Sequence, residues 1–196
     1  MTEVAIGLRA QKGGAVAVAV SPAGPSLILS TLLTTAAEGD RLSLEPYGIA
    51  AGMTPDEAAA AVAEGRRRQD DRAAQGLRDI IRGLAERGFQ PVRAALLVNR
   101  AGWVTDLLGY SREWPEHVPV AEGLAVREAL RFGIRRCGME ISELDEKSLP
   151  DQAARQLGRS PDDLDAQLKM MGQTAGRPWR KEQKLACLAA WMAAAG

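Results

Sequence analysis

The chain has 196 residues, 46% hydrophobic and 26% charged, the balance of an ordinary globular protein, which excludes a largely disordered polypeptide. Its 25 basic residues are matched by 25 acidic ones, so no global positive field gathers nucleic acid, and any such binding must come from a local patch. The length suits one domain with a substantial core, and a single domain over residues 1–196 is expected.

No basic stretch followed by a long apolar run opens the chain, and the longest apolar run nearby, residues 15–20, is too short to span a bilayer. The expectation is a cytoplasmic protein with no signal peptide and no membrane helix. Cys137 and Cys187 each fall in helix-like apolar context without a neighbour at metal-ligand spacing, and are expected to be buried, reduced thiols.

In chain order, residues 4–8, 15–20 and 27–33 read as three short strands, separated by Lys12-Gly13-Gly14 and by the turn Pro22-Ala23-Gly24-Pro25. Such strands form an antiparallel meander. The second lacks alternation, as expected of a strand covered on both faces. Thr54-Pro55-Asp56-Glu57 then opens a helix, with Thr54 as cap, Pro55 at the first helical position and Glu57 placed to bond back. Leu77, Ile80, Ile81 and Leu84 make its buried stripe and Gly88 ends it. Arg66-Arg67-Arg68 and Asp70-Asp71-Arg72 read as a solvated face.

The apolar run 92–98 predicts a strand inside a sheet. Residues 99–119 hold Trp103, Tyr110, Trp114, Pro115, His117 and Pro119 and read as a loop or broken helix packed over the core, a binding surface being the alternative. From Val120 a helical stripe runs through Val126, Ala129, Leu130, Ile134 and Cys137 to Gly138, and residues 139–144 follow as a fifth strand. Ser148-Leu149-Pro150-Asp151 opens a helix ending near Gly158, and Ser160-Pro161-Asp162-Asp163 opens another ending near Gly172. A last helix over 179–195 turns Leu185, Leu188, Ala189 and Met192 inward, with Trp179 anchoring its start.

The pair of helices from Ala153 to Leu168 has the Ala, Gly and Leu spacing of a helix-turn-helix, but Asp162, Asp163 and Asp165 would oppose DNA phosphates, so packing is the expected role. His117 is the only histidine and no nucleophile elbow is present, which assigns it to loop structure.

This order of elements narrows the class to α/β with a mixed sheet. The stretches Ala121-Glu122-Gly123-Leu124-Ala125-Val126-Arg127-Glu128-Ala129-Leu130, Gly138-Met139-Glu140-Ile141-Ser142-Glu143-Leu144, Glu146-Lys147-Ser148-Leu149 and Leu185-Ala186-Cys187-Leu188-Ala189-Ala190-Trp191-Met192 are similar to the later elements of Holliday-junction resolvases. The chain thus resembles the ribonuclease-H-like superfamily. That resemblance implies a three-layer fold with a mixed five-stranded sheet and flanking helices. It also implies a metal site of one Asp at the end of the first strand, a Glu after the fourth and two Asp on the last helix, which together hold divalent cations.

Here Arg9 stands where the first Asp is expected, Val98-Asn99-Arg100 carries no carboxylate, and Lys181 and Lys184 stand near the expected acids of the last helix. Cations there repel metal ions, so resolvase-type cleavage is not expected and no cofactor is predicted. Magnesium enters only under an alternative, a nuclease whose acidic site is rebuilt from Glu182, Asp106 or Glu122. One expectation is that Arg9, Lys12, Lys181 and Lys184 form an anion site for nucleic acid or another phosphate-bearing ligand, with Gly13-Gly14 giving backbone access. Four separate solvated or ion-paired residues are the plainer alternative. A structural or protein-interaction domain is the third reading, and a homodimer is left open.

Overall fold

The computed structural model describes residues 1–22, 26–99, 103–175 and 178–196. Arg100 and most of the turn expected at Pro22-Ala23-Gly24-Pro25 lie outside the described residues. Strands β1 (Thr2–Gln11), β2 (Gly14–Ser21), β3 (Ser26–Thr34), β4 (Phe89–Val98) and β5 (Glu140–Asp145) form one sheet in the order β3-β2-β1-β4-β5. The first three strands pair antiparallel, whereas β1 with β4 and β4 with β5 run parallel. The sheet is therefore mixed and five-stranded, as expected. Its parallel strands end on one edge, where Arg9 pairs with Leu97 and Val98 with Asp145.

The helices are α1 (Arg41–Leu44), α2 (Pro46–Ala50), α3 (Pro55–Ala85), α4 (Leu107–Glu113), α5 (Val118–Arg136), α6 (Leu149–Leu157), α7 (Pro161–Ala175) and α8 (Lys181–Ala195). Alternation along each strand divides the core into two faces. Val4, Ile6, Leu8, Ala94 and Leu96 pack with Leu77 and Leu84 of α3 and Val126, Leu130 and Ile134 of α5. Ala5, Val16, Val18, Val20, Ala95 and Leu97 pack with α6, α7 and α8 on the other side. Every residue of β2 is buried, which explains its lack of alternation. A third cluster joins Tyr47, Ala58, Val62, Leu107, Leu124 and Ala125 beyond the sheet.

The local signals at the start of α3 act as their chemistry dictates. Glu57 Oε2 accepts from the Thr54 amide at 3.0 Å and from the Thr54 hydroxyl at 2.7 Å. Gly88, at φ 82°, takes the left-handed conformation that follows the helix. Arg67 and Arg68 bond to Glu64, Asp71 and Asp40, the solvated ion-paired face read from their sequence. The helix-turn-helix-like pair packs inward through Leu149, Ala153, Leu164, Leu168 and Met171.

Three expectations need correction. Trp103 and Trp114 do not pack over the core: they are 71% and 63% exposed, because the segment before α5 folds into its own short helix α4 and a 3-10 turn at Pro115–His117. The second short helix does not end near Gly172 but continues to Ala175; a Cβ at Gly172 would overlap the indole of Trp179, so that glycine makes room for a ring. Trp179 fills the space and donates from Nε1 to the Leu168 carbonyl at 3.0 Å, the anchoring expected of it. Cys137 is half-buried rather than buried, and both thiols are free. Among the described residues no helix is long and apolar enough to cross a membrane.

At Gly7 an added Cβ would overlap the backbone carbonyl of Ala186 in α8. Gly7→Ala therefore must push α8 off the sheet. The expected cost is about 1–3 kcal/mol, read as a lower urea midpoint; an unchanged midpoint would show that α8 shifts freely.

Candidate functional site

The carboxyl ends of the parallel strands form the edge at which open α/β sheets place their ligands. Arg9 lies there on β1, two residues beyond Gly7 and so on the same side of the strand. Its Nε and Nη2 both donate to Glu146 Oε1, at 3.1 and 2.9 Å, and the two side chains are 22% and 25% exposed. Glu146 follows β5 directly, its amide donating to the Val98 carbonyl at 2.9 Å, so the strand pairing itself delivers the carboxylate to Arg9.

Arg127 reaches the same edge from α5. Its Nη1 donates to the Gly123 carbonyl at 3.0 Å and its Nε to the Leu97 carbonyl at 3.4 Å. Burial lowers its pKa, Glu146 opposes that, and the positive charges of Arg131 and Arg9 add to it. Two guanidinium groups thus share the field of one carboxylate.

Lys12 and Lys184 have separate partners. Lys12 Nζ lies 3.5 Å from Glu45 Oε2, and Glu45 is also held by Arg41 at 2.7 Å. Lys184 Nζ lies 3.6 Å from Asp165 Oδ1, whose carboxylate also pairs with Lys169 at 2.7 Å. Helix α8 runs against the direction of β1, with Ala186 over Gly7 and the Ala193 carbonyl accepting from Arg93, the partner of Ala5 across β1 and β4. Its first turn therefore comes to the strand-end side. Lys181 and Lys184 line one shallow depression there with Trp179 and Arg180; Lys12 lines a different cavity, and Arg9 lines neither. Lys181 and Lys184 are brought together; the full set of four is not.

The acids named for a rebuilt metal site are likewise dispersed. Asp106 caps α4 by accepting from the Gly109 amide at 2.9 Å, Glu182 sits in the first turn of α8, and Glu122 lies on α5. Among the described residues no three His, Cys, Asp or Glu side chains group as metal ligands would.

Glu122 has a different structural part. Its Oε1 accepts from the amides of Tyr47 and Gly48 at 2.8 and 2.9 Å, tying α2 to α5, while its Oε2 is buried without a partner. Burial pushes its pKa up to about 7, against the pull of those two amides. The resemblance gave Arg127 and Glu146 no role. The signal available for Glu122 was its place four residues before the buried Val126, which puts a carboxylate on an apolar stripe.

The segment between β4 and α5 presents its aromatic rings as a group. Tyr110 stacks on His117 with centroids 3.8 Å apart, and Trp103 meets Tyr110 edge-on at 5.8 Å. The His117 Nδ1 donates to the Tyr110 carbonyl at 2.8 Å, which fixes the tautomer and the ring. His117 is thus part of the loop architecture, as its proline-flanked position suggested.

An acid whose pKa rises on folding adds stability that is full below its unfolded value and lost as pH climbs through its folded value. For Glu122 that window runs from about 4.5 to about 7. The thermal midpoint of the wild type is expected to fall across this window by more than that of Glu122→Gln, whose amide oxygen still accepts from both backbone groups. Parallel pH profiles for the two proteins would contradict the assignment.

No family model matches the sequence, and no curated protein does. By structure, the chain is similar to Thermus thermophilus RuvC solved with a Holliday junction substrate, with TM-score 0.56 and 9% identity over 98% of this chain and 93% of that one. A second structure of Thermus thermophilus RuvC gives TM-score 0.51 and 13% identity over the same shares, 98% and 93%. The chain therefore has the ribonuclease-H-like fold of a Holliday-junction resolvase.

Proposed function

We propose that this is a noncatalytic ribonuclease-H-like domain that binds nucleic acid at the carboxyl edge of its sheet and does not cleave it by a metal-dependent route. The observation that carries the reading is the Arg9–Glu146 pair with Arg127 beside it. Two-metal hydrolysis needs carboxylates that converge to hold hard cations at the scissile phosphate. A carboxylate already engaged by one guanidinium, with a second close by, favours a phosphate over a metal ion.

Lys181 and Lys184, at the start of α8, supply phosphate contacts on the same side. Arg9 and Lys12 join them only by exchanging their carboxylates for phosphate. That exchange is easier for Lys12, whose side chain is 71% exposed in its pair, because exposed ion pairs are weak. Trp103 and Trp114 offer exposed rings on which unpaired bases can stack. The similar RuvC structure holds a Holliday junction substrate, which makes branched DNA the first ligand to test. The domain is assigned to the cytoplasm, where free Cys137 and Cys187 remain reduced.

Binding is measured by fluorescence anisotropy on a four-way junction, a duplex and a single strand as salt rises from about 50 to 200 mM. Affinity is expected to fall steeply with salt, and Lys181→Ala with Lys184→Ala to flatten the logarithmic slope by roughly two units. Trp103→Ala is expected to weaken single-strand binding by about 1–3 kcal/mol. With magnesium or manganese all substrates stay intact. Strand cleavage abolished by EDTA would establish the nuclease alternative instead, and an absence of salt-dependent binding would leave the structural or protein-interaction reading.

A further inference from the structure

A cavity of about 310 Å³ opens between the β1–β2 turn, the α1–α2 corner and the start of α5. That volume is at the small end for ligand sites, enough for one compact molecule and too little for a duplex. Gly13, Gly48 and Gly123 line it from three different elements and leave it room, while Leu44, Val118 and Val126 make its wall apolar.

The charged groups around it are not fully satisfied by one another. Arg127 is half-buried, yet among the described residues it donates only to the carbonyl oxygens of Gly123 and Leu97 and makes no ion pair. Lys12 stands at the same cavity, and the Glu45 that faces it is shared with Arg41. Glu122 also lines the cavity, with one oxygen committed to two amides and the other without a partner. Burial keeps Glu122 partly protonated near neutral pH, so it offsets only part of the positive charge. The first turn of α5 adds the positive end of a helix dipole to the same space.

We propose that this cavity binds a small phosphate ester of mononucleotide size, its phosphate against Arg127 and Lys12, its ring against Leu44, Val118 and Val126, and a ring N–H or amino group donating to Glu122. A guanidinium fork beside an ammonium suits a phosphate, and an apolar wall with one carboxyl suits a heterocycle that carries donors. The site shares Arg127 and Lys12 with the nucleic-acid reading above but not Lys181 and Lys184, which line another depression, so the two can be tested apart. The same chemistry reaches it either as a free mononucleotide or as the 5′-phosphorylated end of a strand.

The test is calorimetric titration of the full chain with inorganic phosphate, with AMP, GMP, CMP and UMP, and with a 5′-phosphorylated single-stranded oligonucleotide. Saturable binding of at least one mononucleotide, tighter than that of phosphate, is expected, and Arg127→Met should weaken it at least tenfold. Gly48→Leu guards against a folding defect in that variant. A Cβ there meets Glu45 Cβ at 3.7 Å, Val118 Cγ1 at 3.8 Å and Glu122 Oε1 at 3.9 Å, ordinary contacts on a backbone without positive φ, so the longer side chain enters the cavity while Arg127 is left in place. A Gly48→Leu protein that melts cooperatively and has lost the mononucleotide supports the site; one that binds unchanged overturns it. Silence toward every mononucleotide also overturns it, even if the oligonucleotide binds. Mononucleotide binding that persists in the Lys181→Ala, Lys184→Ala protein supports the cavity and leaves the nucleic-acid surface to its own assay.

Discussion

The absence of a side chain at Gly7 sets the geometry on which the rest of the molecule depends. Because no Cβ stands between them, the backbone of α8 at Ala186 lies against the central strand. The remaining contacts of that helix follow from this approach. Small residues such as Ala186, Ala189, Ala190 and Ala193 are buried along it, and larger ones, Leu188, Trp191 and Met192, fill the space on either side. The same approach fixes where α8 begins, and so which side chains stand at the strand ends.

What stands there is a charge arrangement held by the backbone. Glu146 reaches Arg9 because β5 pairs in parallel with β4 through Asp145 and continues by one more bond to Val98. Arg127 reaches the edge because the stripe of α5 that buries Val126 and Leu130 turns the neighbouring position toward Leu97. A guanidinium bonded to carbonyl oxygens is hydrogen-bonded but not neutralised, and in a partly buried place that difference persists as a local field. Such a field selects ligands by sign before it selects them by shape.

Much of the fold was legible because its signals are local and short in range. The capping pattern at Thr54, the glycine after α3 and the two-sided apolar run of β2 each depend on a few neighbouring residues. The strand-end role of Arg9 and the placement of Lys181 and Lys184 came from resemblance rather than period. Their partners were not legible: Glu146, Glu45 and Asp165 are acids among 25, and only tertiary contact decides which cation each one meets. Trp103 and Trp114 were misread for a related reason. An aromatic residue in a proline-flanked segment has no period to say whether it points in or out. Gly172 was read as a stop because helix-ending glycines are common, whereas here it accommodates a ring from a later residue.

The order of the elements along the chain also governs when each layer can form. The meander from β1 to β3 closes through short connections, and the α3 face of the sheet can be covered once residues 55–85 exist. The α8 face of β1 and β2 waits for residues 181–195, the last element in the order. During synthesis, then, a half-clad sheet with Val16, Val18 and Val20 uncovered precedes the finished domain. Apolar strand surface left without its cover in that interval favours aggregation.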